Sequence, residues 1–214
     1  TDYRAIPDWS GTPSEQESFK TTTEYDALNR PTAVTTHDAS VARPTYNEAN
    51  LLERIEVNLQ GAGTPTVFVQ DIDYDAKGRR DSILYGNGVL TSYRYDPYSL
   101  RLRQLKSTRN SGAEVLQDLR YAYDPTGNIT SIRDLAQQDL FFRNQLISPD
   151  NDYSYDAVYR LIEALGREHL GQMGIKPLTN DDSGRAQVGF DDVIAMGRYS
   201  QKFTYDAAGN IMEL

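Results

Sequence analysis

The sequence predicts an all-β chain, a series of repeated β-hairpins forming a curled sheet strip. Three observations predict it. A tyrosine-aspartate dipeptide returns in front of a turn-forming stretch throughout the chain. The runs on either side of each copy are rich in β-formers and alternate in polarity. The apolar fraction, 38%, is low for a compact globule and suits a single curved sheet with one wet and one packed face.

Taken in order, residues 1–18 form a polar, irregular lead-in punctuated by Pro7, Gly11 and Pro13, with Trp9 expected to tuck against the sheet. The hairpin array is expected over 19–165. Its first unit is Tyr25-Asp26-Ala27-Leu28-Asn29-Arg30, followed by a degenerate copy, Tyr46-Asn47-Glu48-Ala49-Asn50. Next come Tyr74-Asp75-Ala76-Lys77-Gly78-Arg79, Tyr95-Asp96-Pro97, Tyr123-Asp124-Pro125-Thr126-Gly127-Asn128 and Tyr155-Asp156-Ala157-Val158-Tyr159-Arg160. Val67-Phe68-Val69 and Leu140-Phe141-Phe142 read as short apolar strand centres. Residues 166–198, broken by Gly166, Gly171, Gly174, Pro177 and Gly184, read as a Gly-rich insertion loop with a short helical turn around Asp191 to Met196. A further repeat, Tyr205-Asp206-Ala207-Ala208-Gly209-Asn210, occupies 199–214. It is expected to stop in mid-hairpin and leave an unpaired edge.

One unit has simple physics. Alternating residues such as Thr22, Glu24 and Tyr25 enter as a strand. Asp or Asn then caps a tight turn through its own downstream backbone. Gly or Asn, as at Asn29, Gly78, Gly127 and Gly209, supplies the positive φ that the turn needs. A second strand follows, as in Asn128-Ile129-Thr130-Ser131-Ile132. The tyrosine stands at the same point of each hairpin, so the rings are expected near one another. The spacing is uneven. Tyr25 to Tyr46 and Tyr74 to Tyr95 are each 21 residues, while Tyr46 to Tyr74 and Tyr95 to Tyr123 are each 28. A winding sheet tolerates that drift where a strict solenoid does not.

Composition bounds the function. The chain has 214 residues and no cysteine, so disulfides are excluded and stability must come from sheet area. With 15 Tyr against one Trp and six Phe, many apolar positions are half-buried with a hydroxyl to satisfy. The net charge of −9 argues against nucleic acid and anionic membrane surfaces. No apolar run reaches transmembrane length, and Thr1-Asp2-Tyr3-Arg4 is no signal peptide.

No catalytic, metal or cofactor site is expected. His37 and His169 are the only histidines, without a zinc motif. Glu168 and His169 are adjacent on a strand, so they face opposite ways and make no dyad. Asp181-Asp182 and Asp191-Asp192 lack the alternating ligand spacing of a calcium loop. Gly86-Asn87-Gly88 and Gly61-Ala62-Gly63 open no helix and read as hairpin turns rather than phosphate loops. No serine stands in Gly-x-Ser-x-Gly. The residues expected to carry the function are therefore structural: Tyr25, Tyr74, Tyr95, Tyr123, Tyr155 and Tyr205 with Asp26, Asp75, Asp96, Asp124, Asp156 and Asp206, and the turn glycines Gly78, Gly127 and Gly209.

These repeats resemble the YD or RHS repeats of bacterial polymorphic toxins and of the teneurin shell. Tyr85-Gly86-Asn87-Gly88-Val89 resembles the YGNG variant of such repeats. The run Tyr155 to His169 is similar to the YDALYRLIEATGREH stretch of the toxin-complex (Tc) B/C proteins. Ala195-Met196-Gly197-Arg198-Tyr199 and Phe203 to Ile211 fit the same family. The resemblance implies that the chain is a fragment of a hollow cocoon shell that encapsulates a C-terminal toxic cargo domain. Its implied partners are the remainder of the B/C shell, that cargo and a pentameric A-component pore, in a secreted, insecticidal virulence complex. It implies no enzyme in this stretch and carries over no catalytic residue; Asp124-Pro125-Thr126-Gly127 reads as an ordinary turn. Self-association through open sheet edges is a further expectation. The alternative reading is a carbohydrate- or receptor-binding adhesion module.

Overall fold

A computed structural model of the chain describes residues 18–171 and 192–213. The strands are β1 (Thr22–Tyr25), β2 (Pro31–Thr35), β3 (Val41–Tyr46), β4 (Leu52–Asn58), β5 (Thr66–Tyr74) and β6 (Arg80–Tyr85). Then follow β7 (Leu90–Tyr95), β8 (Leu102–Arg109), β9 (Glu114–Tyr123), β10 (Ile129–Asp134), β11 (Leu140–Phe142) and β12 (Gln145–Ile147). The last are β13 (Asn151–Tyr155), β14 (Leu161–His169), β15 (Met196–Lys202), β16 (Thr204–Tyr205) and β17 (Ile211–Glu213). The all-β class holds: among the described residues the only helical turn is a 3-10 turn at Leu59–Gly61.

Thirteen strands form one antiparallel sheet whose spatial order is the chain order, except that β13 follows β10 directly. The small hairpins β11–β12 and β16–β17 stand apart as two-stranded sheets. Contacts divide the chain into two compact units, residues 1–71 and 72–214, with the boundary inside β5. In the first unit β1 to β4 pair in sequence, and β4 pairs with β5 through Ile55↔Val69 and Val57↔Thr66. In the second, β8 pairs with β9 from Gln104↔Arg120 to Arg109↔Glu114, and β14 pairs with β15 from Glu163↔Lys202 to His169↔Met196.

Parity explains the uneven repeat spacing. In an antiparallel meander alternate turns lie at opposite strand ends. The Tyr-Asp turns follow β1, β5, β7, β9 and β13 and the Tyr46-Asn47 copy follows β3, so within each unit these turns share one end of the main sheet, while the turn after β16 belongs to the separate β16–β17 hairpin. The connections at the other end differ in length. They run from the tight Tyr85-to-Val89 turn, with Gly88 at φ 79, to the passage between β10 and β13 that holds β11 and β12. One repeat is thus two strands plus one connection of free length.

The core is thin. Among the described residues of the second unit the buried apolar side chains are Ile72, Ile83, Ile147, Ala164 and Ala195. Gly166 lies under the Tyr199 ring: a Cβ there would stand 2.5 Å from Tyr199 Cε1. The missing side chain is what lets the ring lie on the sheet. The buried polar groups are satisfied. Thr91 Oγ1 and Ser107 Oγ lie 2.8 Å apart, and Gln104 Nε2 donates to Asp118 Oδ1 at 2.5 Å.

The structure shifts several expectations. Residues 166–169 and 196–198, placed in the insertion loop, are strand: β14 continues through His169 because Gly166 and Arg167 pair with Tyr199 and Arg198. The helical turn around Asp191 to Met196 is a non-helical turn over Val193 and Ile194 running into β15, its Asp191 end lying outside the described residues. Gly61-Ala62-Gly63 lies in the β4–β5 hairpin connection as expected, with Gly61 ending a 3-10 turn whose Gln60 has φ 48. Leu140-Phe141-Phe142 is a strand off the main sheet, with Ile147 buried and Phe141 exposed. The lead-in with Trp9, and Asp181 and Asp182, lie outside the described residues.

Candidate functional site

Each expected site tyrosine is the last residue of its strand: Tyr25 of β1, Tyr74 of β5, Tyr95 of β7, Tyr123 of β9, Tyr155 of β13 and Tyr205 of β16. The aspartate that follows opens the turn and, at every site but Asp96, closes it with both oxygens. Asp75 Oδ1 accepts from Lys77 N at 2.9 Å and Arg79 N at 3.0 Å, while Oδ2 accepts from Arg79 Nε at 2.7 Å. Asp26 with Leu28 and Arg30, and Asp156 with Val158 and Arg160, repeat this geometry. In two turns asparagine replaces the arginine: Asn128 Nδ2 donates to Asp124 Oδ2 and Asn210 Nδ2 to Asp206 Oδ2, each at 2.8 Å. Asp96 sits in a turn one residue longer and takes Ser99 N at 2.7 Å and Ser99 Oγ at 3.0 Å.

Electrostatics follow from these donors. The carboxyls of Asp26 and Asp156 are held below the usual range, first by the Arg30 and Arg160 backbone N–H. Asp75 is held low first by the Arg79 side chain, Asp96 by the Ser99 N–H, Asp124 by the Thr126 hydroxyl and Asp206 by the Asn210 amide. Burial pushes the phenols of Tyr74, Tyr95, Tyr123 and Tyr155 up. At all these turns the chemistry on display is hydrogen-bonded carboxylates.

The positive φ falls where the turn requires it: Asn29 at 60, Gly78 at 75, Gly127 at 114 and Gly209 at 89. Leu100 at 62 and Tyr159 at 67 occupy the same position, without the glycine or asparagine that would have announced them.

Sequence reasoning missed the arginine. The residue after the positive-φ position reaches out of its own turn into the next one at the same sheet end. Arg79 lies over the Tyr95 ring at 4.1 Å and its Nη1 donates to Leu100 O at 3.1 Å. Arg30 lies over Tyr46 at 4.6 Å and bonds Asn50 Oδ1; Arg160 lies over Tyr205 at 4.6 Å. Arg101 lies over Tyr123 at 5.6 Å and donates to Asp124 O at 2.9 Å. The tyrosine answers. Its hydroxyl donates to the carbonyl one residue beyond the arginine: Tyr46 to Pro31, Tyr95 to Arg80, Tyr123 to Leu102 and Tyr205 to Leu161. Tyr155 makes the same bond to Ile129. The expected packing of ring on ring is thus replaced, at four joints, by an arginine laid on a tyrosine. The signal for it was present: Asn29-Arg30, Gly78-Arg79, Leu100-Arg101 and Tyr159-Arg160 each place an arginine after the turn's last residue.

Other candidates resolve as backbone supports. His169 Nε2 lies 2.9 Å from Asp192 O, and Gly171 N donates to Nδ1 at 3.1 Å, so both ring nitrogens serve the chain. Asp192 Oδ1 accepts from Ile194 N. Among the described residues no group of three or more His, Asp or Glu is placed to hold a metal ion.

An antiparallel meander whose turns are capped by aspartate and stapled by arginine on tyrosine defines a protein of latched hairpin repeats. No protein-family model matches the chain. The toxin subunit YenC2 of Yersinia entomophaga is 35% identical over 234 residues, covering 100% of the chain and 23% of YenC2. YenC1 of the same organism is 34% identical over 221 residues, covering 98% of the chain and 22% of YenC1. The crystal structure of TcdB2-TccC3 superposes with a TM-score of 0.71 at 31% identity, over 98% of the chain and 10% of that structure's chain. A mutated Tc holotoxin pore of Photorhabdus luminescens gives 0.68 at 35% identity, over 89% of the chain and 8% of its own. The chain is a Tc toxin B/C-like protein, and its fold is that of the repeat shell of those components. It spans less than a quarter of the curated relatives it matches.

Proposed function

We propose that this chain is a section of the wall of a Tc-type toxin, and that the wall encapsulates a C-terminal toxic cargo before delivery. The observation that carries this reading is the latch. A meander is open at one end of every second strand pair, and there Arg79–Tyr95, Arg101–Tyr123 and Arg160–Tyr205 bind one hairpin to the next. A sheet stapled in this way excludes what lies behind it without chemistry of its own, so the wall works by exclusion and not by catalysis. Likeness to TcdB2-TccC3, solved also without its hypervariable C-terminal region, supports the same assignment. The remainder of the B/C shell, the cargo and a pentameric A-component pore are its partners, and the complex is secreted. Among the described residues no helix is long and apolar enough to cross a membrane.

Limited proteolysis of the full protein tests this. Cargo that stays intact while free cargo is digested, and that becomes digestible when Arg79 and Arg101 are both changed to Ala, supports the wall. Cargo digested equally in both forms overturns it. Binding of the intact protein to a glycan array, with no cargo protection, would favour the adhesion module instead.

A further inference from the structure

The latch is missing at one joint of the second unit. Between β10 and β13 the arginine position is Asn128, whose Nδ2 is spent on its own turn, on Asp124 Oδ2 and Thr126 Oγ1. An asparagine is too short to reach the next tyrosine, so Tyr155 keeps only its hydroxyl bond to Ile129 O at 2.9 Å. The opposite end of this pair is weak as well. Where β8 and β9 are closed by a tight turn at Asn110 to Ala113, β10 and β13 are joined by the long passage that carries β11 and β12. Their register consists of Ser131↔Asp152 and Ile132↔Asn151. Longer connections cost more entropy to close, and a short register offers little to offset it.

Besides the Tyr155 hydroxyl bond, an ion clamp bridges the pair: Arg133 Nη2 to Asp152 Oδ1 at 2.8 Å and Nη1 to Asp150 Oδ2 at 3.2 Å. Arg133 is 40% exposed, so this clamp is weakened by salt.

From these features we infer that the β10–β13 joint is a built-in seam. The second unit opens there before it opens anywhere between β7 and β9, and the Arg133 ion clamp sets how readily. Local opening is governed by the weakest set of contacts bounding a segment. At this joint the sheet lacks the guanidinium staple, the tight turn and the long ladder together. What separates on opening is the β13–β15 portion, with β11–β12 as the strap that keeps it attached.

Hydrogen–deuterium exchange on the protein that carries this chain tests the seam, read on peptides covering β10 and β13 with β8 and β9 as internal reference. The seam peptides should exchange roughly tenfold faster than the reference. Asn128→Arg should supply the missing staple and slow them by roughly three- to fivefold, leaving β8 and β9 unchanged. Arg133→Gln should speed the seam, and raising salt from 0.1 M to 1 M should speed it in the parent but not in Arg133→Gln. Equal protection of seam and reference would overturn the inference. So would an Asn128→Arg protein whose seam exchanges as in the parent.

Discussion

The guanidinium of Arg79 lies 4.1 Å from the centre of the Tyr95 ring, while the Tyr95 hydroxyl donates to the carbonyl of Arg80 at 3.0 Å. The two residues belong to successive hairpins and hold each other by opposite ends: charge on ring, phenol on backbone. Arg79 also grips its own Asp75 at 2.6 Å, so one side chain serves two turns.

Removing the shared side chain should cost both turns. Arg79→Ala is expected to destabilise the protein by about 1–2 kcal/mol, the sum of an exposed cation–π contact and a part-exposed ion pair. Arg79→Lys should recover less than half of that, because an ammonium cannot reach Asp75, Tyr95 and Leu100 O at once. Urea denaturation of the three forms checks the order.

The phenol arm is separable from the ring. Tyr95→Phe keeps the surface under Arg79 and loses one hydrogen bond, which should cost about 0.5–1.5 kcal/mol. Tyr98→Phe, three residues on and 94% exposed, should change nothing measurable. Equal effects at the two sites would contradict the role given to the hydroxyl.

Glycine at 127 does more than adopt its φ of 114. A Cβ there would stand 2.8 Å from Arg101 Nη2, in the path of the latch onto Tyr123. At Gly88, with φ 79, nothing lies within 4 Å. Gly88→Ala should therefore cost about 1 kcal/mol of backbone strain and Gly127→Ala about 2–3 kcal/mol, measured by thermal unfolding.

Acid should loosen the turns. The folded carboxyls of Asp26, Asp75, Asp96, Asp124, Asp156 and Asp206 are all held below their unfolded range by donors present only in the turn. Asp38, bonded first by the Thr36 hydroxyl, is lowered to about 2. A group depressed on folding contributes stability that is full above its unfolded value, about 3.9, and lost as pH falls through the folded one. Stability from this source should be flat from about pH 5 upward and fall between about pH 4 and 2. Asp124→Asn should make that fall shallower in a pH series of urea midpoints. A parent that gains stability across that window would contradict the assignment.

Much of this was legible in the chain. The Tyr-Asp series, the alternation around it and the Gly or Asn at Asn29, Gly78, Gly127 and Gly209 announced hairpins because each signal acts within a few residues of its effect. The latch was not legible for the opposite reason. Arg30 meets Tyr46, and Arg160 meets Tyr205, only after an intervening pair of strands and a connection of variable length have been folded. Leu100 and Tyr159 hide the positive-φ position because the local turn bonds of their N–H groups to Asp96 O and Asp156 O hold a residue type that intrinsic preference would not choose there. The strand ends at Gly166 to His169 were missed because glycine reads as a loop former, while here it makes room for the Tyr199 ring.

The most direct measurement is a double-mutant cycle on Arg79 and Tyr95, with Arg79→Ala, Tyr95→Leu and the pair compared by urea unfolding. A hairpin array joined by latches predicts that the two losses are not additive, with a coupling of about 0.5–1.5 kcal/mol. Losses that add to within about 0.3 kcal/mol would show that the two residues do not hold each other. The repeats would then be joined by backbone pairing alone.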